Sequence, residues 1–300
     1  MNMQMKQSPP LSFLRLLLAL GLQFLLMFVW SFALGLGLWT VSESLSWLRE
    51  KWGAFLVLWS GAFNFVVVWA SVTPVVRWVV RRPWAWLGWR GFLLREMLYG
   101  LLDAGWAWVA IAGMLTLTGS IAWQRASVPW ASWFALWVVL FLGAAAEEWL
   151  ARGFWFSLLK ERLGPYWAMF LSSLVFALLH MANPAWSWRA AVGIFLAGMV
   201  LAWARHRSDS LAWPIAFHWG WNAFQGLVFG FPVSGLVVTG LLIPRVTGPD
   251  WWTGGPFGPE AGLASWLILL AVAFWRFPPV RQGANATEPL EHTSKYDKEF

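Results

Sequence analysis

The sequence predicts an all-α, polytopic membrane protein of about eight transmembrane helices. Of its 300 residues, 59% are hydrophobic and only 12% charged, where soluble domains carry about 25% charged residues. Several apolar runs exceed the ~18 residues that mark a membrane helix. Many of the 29 tryptophans sit at run ends, among them Trp39, Trp84, Trp86, Trp89, Trp251 and Trp252, where indoles favour the interface. The alternating ten-residue segments of a β-barrel do not occur.

The net charge of +7 comes from basic residues clustered in short loops, a topology signal rather than a nucleic-acid footprint. With no cysteine, disulfides, thiolate catalysis and cysteine-based zinc sites are excluded.

The elements follow from run length and punctuation. Helix 1 is predicted at about 13–38; its apolar core is about twice the ~7–15 residues of a cleavable signal, so it is read as retained. Val41 to Gly53 reads as a loop, and helix 2 as about 54–73. The basic stretch bearing Arg77, Arg81, Arg82, Arg90 and Arg95 has the Trp and Leu content of an interfacial segment. Helix 3 is expected at about 100–123, with Asp103 paired to Arg95 or another basic neighbour, and 124–129 as a turn.

Helix 4 starts at Pro129, which suits a first turn, and runs to about Leu163. Gly164-Pro165 stops it. Helix 5 covers about 166–181, helix 6 about 189–204, helix 7 about 211–229 with Pro214 interrupting it, and helix 8 about 261–275. A Gly/Pro-rich loop joins the last two. The units predicted are helices 1–3 with their basic loop (1–130), a catalytic transmembrane core (131–276) and a disordered tail (277–300).

Eight spans put both termini on one side. With cytoplasmic termini that side holds Lys6, Arg15, Arg77, Arg81, Arg82, Arg90, Arg95, Lys160, Arg162, Arg205, Arg207, Arg276, Arg281, Lys295 and Lys298. The other holds Arg49, Lys51, Arg125, Arg189 and Arg245, so the balance is fifteen against five, with Arg152 counted as intramembrane.

Adjacent carboxylates at Glu147 and Glu148 stand inside the apolar run from Trp130 to Leu159. A charge there costs roughly 2.5–3.5 kcal/mol on insertion scales, so it needs a partner or a task. Arg152, four residues after Glu148, shares its face and can pair with it, while Glu147 points about 100° away. A Glu–Arg pair alone orients helices as readily as it does chemistry; a second glutamate with no local base is harder to explain that way. His180 ends helix 5, with Phe176 one turn earlier. His218 and Asn222 share a face of helix 7. Singly, each histidine suits packing. Together, two carboxylates, two imidazoles, an arginine and an amide on three helices supply the groups of hydrolysis.

Glu147-Glu148-x-x-x-Arg152, Phe176-x-x-x-His180 and His218-x-x-x-Asn222, in this order, resemble the signature of the CAAX prenyl protease and bacteriocin-processing family of intramembrane proteases. The resemblance covers about 130–230 and extends to the loop Gly230–Gly235, which looks like bacterial members; Ala151 stands where an aromatic is frequent. The resemblance implies that Glu147 activates water with support from His180, that His218 and Asn222 stabilise the oxyanion, and that Glu148 and Arg152 support the site. It also raises a Zn²⁺ held by Glu147, His180 and His218, although no His-Glu-x-x-His spacing occurs; a reaction that requires no cofactor is favoured. The partners implied are the bilayer and a membrane peptide or protein substrate, lipidated in some relatives, with no nucleic acid, and the location is a bacterial inner membrane. The alternatives are a non-proteolytic scaffold or immunity protein, and a proton-coupled transporter, for which no internal repeat is found.

Overall fold

The computed structural model describes residues 11–44, 53–91 and 93–276. The predicted tail at 277–300 and residues 45–52 of the predicted first loop lie outside them. The apolar runs fold as helices: α1 (Phe13–Ser44), α2 (Gly53–Pro74), α3 (Leu94–Leu117), α4 (Trp130–Glu148), α5 (Phe156–Leu179), α6 (Trp188–Ser208), α7 (Ala212–Ala223), the single turn α8 (Asp250–Thr253) and α9 (Leu263–Arg276). Among the described residues, five stretches are helices long and apolar enough to cross a membrane, one of them a 53-residue run from Trp130 to Ala182. The protein is an all-α integral membrane protein.

Several boundaries differ from the sequence reading. α1 continues through Val41–Ser44, where a loop was expected. α3 ends at Leu117, six residues early: Thr118 Oγ turns back to the Met114 carbonyl at 3.0 Å, and Gly119 takes φ 66°. The chain then forms β1 (Ile121–Arg125), antiparallel to β2 (Leu242–Val246), the two strands of the sheet found among the described residues. Local apolar content could not reveal this pairing, because the partner strand lies over a hundred residues away. Pro214 does not interrupt α7. It falls in the first turn, where a missing N–H costs nothing. Asp103 is paired as expected with a basic neighbour, but that neighbour is Arg276, at 3.2 Å; Trp213 Nε1 donates to the same oxygen at 2.8 Å.

The run from Trp130 to Ala182 is not a regular rod. Between α4 and α5 the backbone widens into a π-helical turn, Trp149–Trp155, all of it buried. At Gly164 the chain leaves helical geometry (φ 78°, ψ 170°) just before Pro165, the punctuation read from the sequence.

Loops sort to two ends of the bundle. At one end Arg82 pairs with Glu161 at 2.9 Å and Arg90 with Asp209 at 2.7 Å, and the Trp86 carbonyl accepts from Ser157 Oγ and Arg205 Nη2. The basic segment is thus folded onto α5 and α6, not left loose. At the other end lie the β1–β2 ribbon and the loop before α8. Ser187 caps α6 by accepting from the Ala190 N–H at 3.2 Å. α2 packs on α4, and α3 on α7 and α9, so the first three helices brace the ones that carry the charged side chains.

Candidate active site

α4 delivers both glutamates to different surroundings, as their 100° separation requires. Glu148 and Arg152 are both 0% exposed, joined by Arg152 Nη1 donating to Glu148 Oε1 at 2.8 Å. The wide turn after Glu148 carries Arg152 inward, where its guanidinium lies 4.3 Å from the centroid of the Phe176 ring, a cation–π contact strengthened by desolvation. Gly198 on α6 makes room: a Cβ there would stand 3.1 Å from Arg152 Nη2 and 2.9 Å from Ser173 Cβ.

The same Glu148 oxygen takes a second bond. His218 Nδ1 lies 2.9 Å from it. A carboxylate only accepts, so Nδ1 carries the proton and the ring's Nε2 is turned away from Glu148. Sequence spacing paired Glu148 with Arg152 alone; the bond that fixes His218 joins residues seventy apart and leaves no local trace. His180 is fixed in the same way, its Nδ1 bonded to the Phe176 carbonyl at 2.8 Å, which leaves its Nε2 as an acceptor. Phe176, quoted in the motif without a role, is the common wall: its ring centroid is 4.6 Å from that of His180 and 6.1 Å from that of His218.

Glu147 is the exposed carboxylate of the pair, its side chain 38% accessible. Oε2 sits 3.8 Å from His218 Nε2, too far for a hydrogen bond, and has no hydrogen-bond partner among the described residues. Oε2 itself is buried, while the Glu147 side chain lines a cleft of about 460 Å³ that is also lined by His180, His218 and Asn222. All six residues expected at the site therefore converge: four line the cleft, and the buried Glu148–Arg152 pair stands behind His218.

Three further polar residues line this cleft: Asn64 on α2, Asn183 after α5, and Ser234 in the loop after α7. Asn64 had a signal, a lone amide in an apolar run. Asn183 and Ser234 looked like ordinary turn residues.

For a metal the donor set does not fit. Among the described residues no three His, Cys, Asp or Glu side chains group closely enough to hold an ion. His180 and His218 each have Nδ1 committed to an oxygen, and their remaining nitrogens do not close on Glu147 as a ligand triad. Glu148 does orient one histidine, as the carboxylates behind the ligands of metal sites do.

No curated protein and no solved structure matches the chain. A family model described as "Rce1-like: Type II CAAX prenyl endopeptidase Rce1-like" matches residues 129–224, the stretch from the start of α4 to the end of α7. That stretch holds all six converging side chains, both fixed histidines among them, and it is similar to the Rce1-like type II CAAX prenyl endopeptidases.

Proposed function

We propose that the protein is an intramembrane endopeptidase in which Glu147 activates water against a peptide bond of a membrane-associated substrate. The observation that carries this reading is the division of labour on α4. Glu148 is fully buried, with one oxygen held by both Arg152 and His218, whereas the adjacent Glu147 is partly exposed and lines the cleft, and its Oε2 has no hydrogen-bond partner among the described residues.

Glu147 accepts a proton from a water held between it and His180 Nε2. The hydroxide adds to the scissile carbonyl carbon. His218 Nε2, turned toward the cleft by the Glu148 bond, and the Asn222 amide donate to the developing oxyanion. His218 does so with both ring nitrogens protonated, a charge that Glu148 balances across 2.9 Å. As the C–N bond breaks, Glu147 returns its proton to the amine leaving group. No step requires a metal. The chain is read as eight passes with both termini cytoplasmic in a bacterial inner membrane, supported by the fifteen-to-five charge balance.

Glu147→Gln keeps the shape and removes the base. It should lower cleavage about 10²–10⁴-fold while the protein still inserts and folds. Mass mapping of membrane peptides from cells carrying wild-type or Glu147→Gln protein tests this, since products should vanish in the variant. Persistence of those products would instead favour a scaffold or a transporter. Reporters fused at Lys298 and within Gly254–Pro259 should label opposite sides of the membrane; same-side labelling would remove the topology.

A further inference from the structure

One buried carboxylate takes no part in the reaction above. Glu260 lies in the turn between α8 and α9, outside the segment that matches the family, and is 3% exposed. A buried carboxylate needs compensation, and its bonded partners among the described residues include no cation. Oε2 accepts from Gln225 Nε2 at 2.5 Å. Oε1 accepts from the Ser234 N–H at 2.9 Å and lies 3.2 Å from Ser234 Oγ. Gln225 Nε2 also reaches the Pro232 carbonyl at 2.5 Å. Glu260 and Gln225 together therefore grip positions 232 and 234 of one short turn.

The turn is held from its other sides too. Asn183 Nδ2 donates to the Ser234 carbonyl at 3.0 Å and the Gly235 N–H donates to the Phe257 carbonyl at 2.7 Å. Val233 and Leu236 exchange backbone bonds of 2.8 Å across it. Ser234 takes φ 47°, a left-handed conformation that L-residues avoid unless their surroundings impose it. Here the surroundings are the Glu260 carboxylate on its N–H and Asn183 on its carbonyl.

This turn faces the reaction. Val233, Ser234 and Leu236 line the same cleft as Glu147 and His180. A chamber of about 40 Å³, bounded by His180, His218, Asn222, Ser234 and Glu260 among others, separates the carboxylate from the catalytic rings. We propose that Glu260 is a positioning residue of this peptidase: it holds the Pro232–Leu236 turn as the cleft wall against which the substrate backbone is laid. The proposal rests on the peptidase reading. It assigns the turn to binding and leaves the chemistry to the helices.

The test uses the full-length protein reconstituted in lipid and a reporter peptide that wild type cleaves and Glu147→Gln does not. Glu260→Gln keeps an acceptor for the Ser234 N–H but turns an NH₂ toward Gln225; Glu260→Leu removes every acceptor. KM should rise about tenfold in Glu260→Gln, and further in Glu260→Leu, with kcat within about twofold in Glu260→Gln, the pattern of lost ground-state binding. A merely structural role would lower the active fraction, and so kcat, at constant KM. Hydrogen exchange over 232–236 should accelerate in Glu260→Gln while α4 and α7 stay protected, a readout that needs no cleavage. Wild-type KM in Glu260→Gln, or unchanged exchange at Ser234, overturns the proposal while leaving the peptidase reading in place. A reporter cleaved equally by wild type and Glu147→Gln fails the peptidase reading, and this proposal with it.

Discussion

The cleft has two walls built on different principles. One is made of side chains carried by helices: Glu147 from α4, His180 from the turn just after α5 and His218 from α7, backed by the buried Glu148–Arg152 pair. The other is made of backbone, the Pro232–Leu236 turn, pinned by Asn183 on one side and by Gln225 and Glu260 on the other. The helical wall places reactive atoms through rigid side-chain pairs. The turn presents peptide groups and apolar side chains to whatever lies in the cleft. A peptidase needs both functions, and the proposed mechanism assigns them to separate parts of the chain.

Breaking the charged wall should have the larger effect. Arg152→Ala leaves Glu148 buried with only His218 as a partner, and removing one member of a buried pair typically costs about 3–5 kcal/mol. Both groups are 0% exposed, so solvent does not screen the loss. The variant should accumulate poorly and unfold at lower temperature. What protein remains should be inactive, because the carboxylate that orients His218 has lost its countercharge. Thermal unfolding and cleavage measured on the same preparation check this; a stable, active Arg152→Ala protein would show that the Glu148–His218 bond suffices alone.

Disturbing the backbone wall should cost less and read out differently. Gly235 sits at φ 83°, and a Cβ there would lie 2.1 Å from the Pro184 carbonyl oxygen. Gly235→Ala must therefore shift the turn, with a stability cost of about 1–3 kcal/mol. KM should rise more than kcat falls, the reverse of the pattern expected at Glu147. Equal losses in both parameters would mean that the two walls are mechanically one.

The same contrast explains what the sequence could reveal. The charged wall was legible because helices repeat: Glu148 and Arg152, or His218 and Asn222, stand four apart and must share a face. Costly groups in apolar runs announce themselves, and their order on three helices matched a family signature. Bonds between elements were not legible. Glu148 to His218 joins residues seventy apart, and nothing in the spacing of α7 says which of its nitrogens points where. The turn wall was hidden for the same reason. Ser234 lies in a Gly/Pro-rich loop, and Glu260 is a single acid next to a proline; only their contact across 26 residues gives either a role. The β1–β2 ribbon was missed because an apolar run reads alike as helix or strand when the deciding partner is remote.

The smallest effect should be on the pH dependence of stability, and it isolates the backbone wall. Burial pushes the Glu260 carboxyl from 4.5 up to about 7, against the opposing pull of the bonds from Gln225 and Ser234. A folded-state pKa above the unfolded one means the folded protein holds this proton more tightly. Its stabilising contribution is full below about 4.5 and is lost as pH rises through about 7. Between pH 6 and 8 the loss should be on the order of 1 kcal/mol, since each unit of pKa is worth about 1.4 kcal/mol. Asp209 acts in a different window. Burial raises its carboxyl, but bonds from Arg205 and Arg90 outweigh burial and bring it below 3.8, so its contribution is lost only as pH falls through that lowered value. Unfolding temperatures of wild type should therefore fall from pH 6 to 8, and those of Glu260→Gln, which carries no titrating proton there, should fall less by that amount. Parallel curves for the two proteins would mean that Glu260 does not titrate near neutrality, and that the turn is held by a carboxylate ionised throughout this range.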